Sequence, residues 1–89
     1  MKKISRTNRF KKDVKIMKKR GKSFGVFKEV IQQLAQGDPL EKKFRDHKLT
    51  GNYAGTRECH IEPDWLLIYE DKDEVLLLIR TGTHSDLFG

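Results

Sequence analysis

At 89 residues, with a hydrophobic fraction of 36% that only equals its charged fraction, the chain is too short and too polar for a large core and forms one domain, residues 1–89. Its formal charge of +6 is uneven, with 16 Lys+Arg against 5 Asp+Glu in residues 1–50 and 3 against 8 in residues 51–89, which points to a nucleic-acid or acidic-protein partner. The single cysteine excludes an internal disulfide and suits a cytoplasmic location, Met1–Arg6 lacks the apolar run of a signal peptide, and the longest apolar run, Val75–Ile79, is far too short to span a membrane.

Residues 2–6 predict a short edge strand around Ile4. Thr7 or Asn8 then caps a helix on which Phe10, Val14 and Met17 share one arc. Lys11, Lys12, Lys15, Lys18, Lys19 and Lys22 take the other side, with Asp13 as the one acid nearby. Gly21 ends that helix. A second, capped by Ser23, carries Phe24, Phe27, Val30, Ile31 and Leu34 at helical spacing and stops at Gly37, two residues before Pro39. From Glu41 to Gly55 there is no periodicity, only a charged loop with Arg45, Asp46, His47 and Lys48. Three strands follow, Thr56–Ile61, Trp65–Glu70 and Glu74–Arg80, joined by turns at Glu62-Pro63-Asp64 and Asp71-Lys72-Asp73. The last two are apolar on both faces, so they belong inside the sheet. Gly82 breaks the third, and His84–Gly89 form one helical turn. The predicted class is α+β: an N-terminal edge strand, a two-helix hairpin, a three-stranded antiparallel meander and a short C-terminal helical turn.

Five residues at strand and loop ends carry chemistry: His47, His60, Asp64, Arg80 and His84. Histidine can take and give a proton near neutrality, arginine offers a donor fork for phosphate oxygens, and an aspartate beside a histidine fixes its tautomer. Two histidines and an arginine on a basic protein are the means to cut RNA without a metal or other cofactor. Trp65 and Phe88 are aromatic companions with faces for unpaired bases, and core packing is the competing reading of Trp65. A metal held by His47, His60, His84 and Asp64 is disfavoured, since no pair has tight ligand spacing. Cys59, next to His60 on a strand, points to the opposite face and is expected to be inert.

Three segments carry a family resemblance: Asp46-His47-x-Leu49-x-Gly51, Arg57 through Tyr69, and Arg80 through Gly89. In these the chain resembles bacterial toxins of type II toxin–antitoxin systems, in the RelE/ParE superfamily and its YafQ branch of mRNA interferases. The resemblance implies a RelE-like fold, cleavage of mRNA in the ribosomal A site, and masking by a cognate antitoxin, whose acidic segment would meet the basic half of the chain. It implies His84 as general acid, Arg80 as stabiliser of the transition state, and His60 with His47 as base. Asp64 would orient the base and Phe88 would position the scissile nucleotide. Lys11, Lys15, Lys18, Lys19, Arg45 and Lys48 are then expected to grip mRNA and the rRNA of the 70S ribosome. The alternative is a ParE-like, non-catalytic gyrase inhibitor.

Overall fold

Thr7 closes the first strand and opens the first helix. Its hydroxyl accepts from the Phe10 N–H at 2.9 Å, pairing one of the amides that a helix start leaves open. The structure, a computed structural model, describes residues 1–89. In chain order the elements are β1 (Lys3–Arg6), α1 (Asn8–Lys19), α2 (Gly25–Gln36), β2 (His47–Lys48), β3 (Arg57–Glu62), β4 (Trp65–Asp71), β5 (Val75–Gly82) and α3 (His84–Phe88). Single 3₁₀ turns at Lys42–Phe44 and Gly51–Tyr53 flank β2.

The sheet has five strands in the order β1-β5-β4-β3-β2. The predicted meander β3–β4–β5 is its antiparallel centre, and two features extend it. β1 returns parallel to β5, placing Ile4 beside Leu76. β2, read from sequence as loop, pairs with β3 through His47 opposite Glu58 and Lys48 opposite Arg57. Two residues are too few to show alternation, so the sequence pattern could not reveal it. Ser23 is not a cap: α2 begins at Gly25, with Phe24 before it and no side-chain cap. The Phe24 ring turns inward instead, edge-on to Phe27 at 5.1 Å and to Trp65 at 5.2 Å.

β4 is buried along both faces, as expected of a central strand. On one face Trp65, Leu67 and Tyr69 meet the helices through Phe10, Met17, Phe27 and Val30. On the other, Leu66 and Ile68 meet Leu87 of α3, with Tyr53 and Leu49 alongside. Trp65 therefore cannot stack on a base. It is 0% exposed, its ring stacks on Phe27 at 5.1 Å, and its Nε1 donates to Thr81 Oγ1 at 2.9 Å. Cys59 is likewise fully buried among the helix-facing residues, and burial pushes its thiol pKa well up. No helix is long and apolar enough to cross a membrane.

Candidate active site

The second face of the sheet carries the histidines. On β3, Glu58 and His60 alternate with the core residue Cys59, and their cross-strand partners on β4 are Ile68 and Leu66. Arg80 and Gly82 of β5 pair with those same two residues. The hairpin at Pro63–Asp64 and the chain after Gly82 therefore end at one side of this face, which brings Asp64 to His84. There the Asp64 Oδ1 accepts from the His84 backbone N–H at 2.9 Å and from ring Nδ1 at 2.6 Å. These bonds, the backbone one first, hold the Asp64 carboxyl below the usual range. They also fix the ring with Nδ1 toward Asp64 and leave Nε2 for other partners.

α3 is docked by two devices. Thr83 and Asp86 form a reciprocal capping box, and Asp86 takes a bidentate pair from Arg20 at 2.6 and 3.0 Å. Bonding to Arg20 holds the Asp86 carboxyl far below its ordinary value. Gly82 makes this approach possible, since a Cβ there would lie 2.9 Å from the Asp86 Cβ.

Three imidazole rings line up across the face. His60 and His84 are 5.8 Å apart between ring centres, and His47 and His60 are 6.2 Å apart. The His47 Nδ1 lies 2.7 Å from the Arg45 carbonyl; a carbonyl only accepts, so His47 donates there and shows its Nε2 outward. In the middle, the His60 side chain is 10% exposed, and its Nε2 lies 3.6 Å from a Glu58 carboxylate oxygen, too far for a hydrogen bond but close for a charge. Its Nδ1 is buried with no partner. Burial pulls the His60 pKa below the ordinary histidine value, opposed by Glu58 and reinforced by Arg45 and the flanking histidines.

Arg80 is anchored from the far side. Its Nε and Nη2 donate to the buried Asp13 carboxylate at 3.0 Å each, and the Thr81 N–H adds a third bond at 3.2 Å. The pairing with Asp13, ahead of the opposing effect of burial, keeps the guanidinium charged. The side chain of Tyr53 adjoins the same guanidinium and meets Phe88 edge-on at 5.7 Å. Phe88 stays half exposed.

The structure thus gathers His47, His60, Asp64 and His84, and joins Arg80 to Phe88 through Tyr53 on the same face. It does not bring the helix lysines there. Lys11, Lys15, Lys18 and Lys19 are exposed on a helix that packs against the opposite face of the sheet. Arg45 and Lys48 are exposed on either side of His47. Two residues that sequence reasoning missed are Glu58 and Asp13. Both are buried acids, at 5% and 4% exposure, and burial of a charge without function or partner is costly. Alternation from His60 is the signal for Glu58; Asp13 sits between Phe10 and Met17 on α1, where its charge alone assigns it to the lysine side. Glu58, His60 and His84 could also hold a metal ion, since one ligand atom from each lies within 4.8 Å of the others.

By its family match, this antiparallel meander, with its helical hairpin on one face and histidine–carboxylate row on the other, falls in the class of toxins of type II toxin–antitoxin systems. Residues 2–89 match the family described as bacterial toxin of type II toxin–antitoxin system, YafQ. The chain belongs to this family. It is 41% identical over 87 residues to the mRNA interferase toxin YafQ of Escherichia coli K12, covering 97% of this chain and 95% of that one. Among solved structures, the E. coli DinJ–YafQ complex superposes with a TM-score of 0.92 at 40% identity, over all of both chains. A metal-bound toxin from Helicobacter pylori superposes with a TM-score of 0.92 at 41% identity, over 99% of this chain and all of that one.

Proposed function

We propose that this toxin cuts mRNA by attack of a ribose 2′-hydroxyl on the adjoining phosphate, with side chains alone supplying the acid and base. Its standing as an endoribonuclease rests on its family and on 41% identity to a named mRNA interferase. The observation that carries the mechanism is the pair of histidines 5.8 Å apart, each with its own carboxylate. His60, kept neutral by burial, takes the 2′-hydroxyl proton, and Glu58 stabilises the imidazolium that forms. His84, oriented by Asp64, protonates the departing 5′-oxygen from Nε2. Arg80 stabilises the charge gathering on the phosphoryl oxygens, and Asp13 leaves its Nη1 for that task. Phe88, braced by Tyr53, stacks on a base at the cut. His47 extends the row and supports His60.

The lysines of α1, on the other face, suit a larger polyanion than the strand being cut. Together with Lys48 they support rRNA contact and cleavage in the ribosomal A site. The E. coli relative is seen in complex with DinJ, and a cognate antitoxin with an acidic segment is expected to cover the basic half of this chain. A titratable row is of no use to a pure gyrase binder.

The test is growth arrest and mapped 5′ ends of mRNA for His84→Ala and Arg80→Ala. Each variant should lose about 10²- to 10⁴-fold in cleavage while staying folded. If both remain as toxic as the parent, the mechanism is wrong. Intact mRNA with lengthened DNA-cleavage complexes would favour gyrase as the target.

A further inference from the structure

His60 has a second neighbourhood besides the histidine row. β2 covers β3 only at Arg57 and Glu58, so from His60 onward the edge of β3 is uncovered by any strand. The space beside it is a cavity of about 300 Å³ between β3, the Lys42–Phe44 turn and the start of α2. That volume is at the small end for ligand sites. Phe44 and Ile61, both buried, form its floor, and Val26 and Pro63 extend the apolar surface. Val26 is 46% exposed, unusual for an aliphatic residue on a helix with an otherwise buried apolar face.

Positive charge predominates around the cavity. Arg45 enters no ion pair, and Lys43 lies 3.8 Å from the exposed Glu41 with its ammonium 5.2 Å from the centre of the Phe44 ring. The acid in the wall, Glu62, is already paired with Lys22 at 2.9 Å. Arg45 is the one non-glycine residue with a left-handed backbone, φ 51°, a conformation that persists only where its surroundings enforce it. Its carbonyl is fixed by His47 and its charge is felt at His60. An apolar floor with one unpaired cation, Arg45, and a second, Lys43, held loosely at its rim, sharing a wall with a histidine of the site, matches a nucleotide: base below, phosphate above.

We propose that this cavity, between Lys43–Arg45 and Ile61–Pro63, is the subsite for the nucleotide that adjoins the scissile phosphate on the side away from Phe88. The inference rests on the nuclease reading above. It gives the cut two base-holding positions, Phe88 on the β5 side and Phe44 with Ile61 on the β3 side, with the histidines between. Arg45 is a binding residue in this scheme and takes no part in proton transfer.

The experiment is single-turnover cleavage of mRNA on programmed ribosomes, as a function of toxin concentration, for the parent, Arg45→Gln, Val26→Asp and His84→Ala. Val26 is exposed, so its change spares the core. Arg45→Gln and Val26→Asp should each raise the half-saturating concentration about tenfold with an unchanged maximum rate, the loss of one charge-assisted contact or the gain of one repulsion. In parallel, a trinucleotide blocked at the central 2′-hydroxyl is titrated into ¹⁵N-labelled full-length toxin. It should shift the amides of Lys43, Phe44, Arg45, Ile61 and Glu62. Parental half-saturation in both variants, or unmoved amides at these positions, overturns the subsite; so does a loss confined to antitoxin affinity, which would make the cavity a protein site. His84→Ala separates the two readings: if it cleaves like the parent, the nuclease reading fails whatever the other variants do.

Discussion

At the scale of single residues, the proposed mechanism turns on two chemically equal imidazoles with different surroundings. His60 is nearly buried beside an acid, and His84 is half exposed on a carboxylate tether. Burial weakens proton binding at His60 and Glu58 partly restores it. Replacing Glu58 by Gln removes the restoring charge, so the acidic limb of the pH–rate profile should move to lower pH while the rate above it falls. Stability follows the same sign. Folded His60 binds its proton more weakly than the unfolded chain does, so the protein loses stability as pH falls below the ordinary histidine value of about 6.5. Glu58→Gln should steepen that loss in thermal melts at pH 5 relative to pH 8. An acidic limb that stays in place would show that another group is the base. The cluster of buried Glu58, half-buried His60 and exposed His84 also predicts that Cu²⁺ inhibits by binding both histidines, whereas chelators leave cleavage intact.

At the scale of elements, α1 acts as a splint for the site although it lies on the other face of the sheet. Asp13 and Arg20, seven residues and so two turns apart, hold Arg80 of β5 and Asp86 of α3 respectively. Asp13→Ala would strand a largely buried guanidinium and should cost about 3 kcal/mol of stability. It should also lower the cleavage rate at temperatures where the variant is folded. In an Arg80→Ala background the second effect should vanish, because the two residues act as a unit; additive losses would rule the splint out. Gly82→Ala tests the other end. Its Cβ would collide with Asp86, so α3 must shift, at about 1–3 kcal/mol, and the Asp64–His84 bond should loosen, visible as a changed His84 ring signal in NMR. The elements themselves were largely legible: helix periodicity placed α1 and α2, and two doubly apolar runs placed β4 and β5. What could not be read were features decided by partners distant in sequence. β1 reads as an edge strand, but its parallel pairing with β5 does not show in the sequence, and β2 owes its place to two residues of β3. Asp13 earns burial from an arginine 67 positions away. The histidine cluster was legible because the Pro63–Asp64 turn and the Gly82 break both lie at recognisable punctuation. Trp65, beside a turn, admits both core packing and base stacking from sequence, and only the helices laid over it decide for packing.

At the scale of the whole molecule, the lysine cluster of α1 and the histidine row are on opposite faces of the sheet. The lysines of α1 crown the helical layer, and the histidines occupy the other side of the sheet, beside α3. A protein cutting short free RNA would gain little from cations it cannot bring to the cut. On the ribosome-dependent reading proposed above, a protein wedged between a thin substrate and a large polyanion uses this separation. Replacing Lys11, Lys15, Lys18 and Lys19 together by Gln should leave the fold intact, because exposed substitutions cost little. Binding to ribosomes should weaken, and the slope of log affinity against log salt should drop by about three, the share of four phosphate contacts. Cleavage of a free oligonucleotide at high toxin concentration, if measurable, should be unchanged, because no part of the histidine row is altered. A quadruple variant with an unaltered salt slope would locate the polyanion elsewhere on the molecule. Equal loss on the free oligonucleotide would instead mean that the strand being cut runs across α1, and the two faces would have to be read as one continuous track.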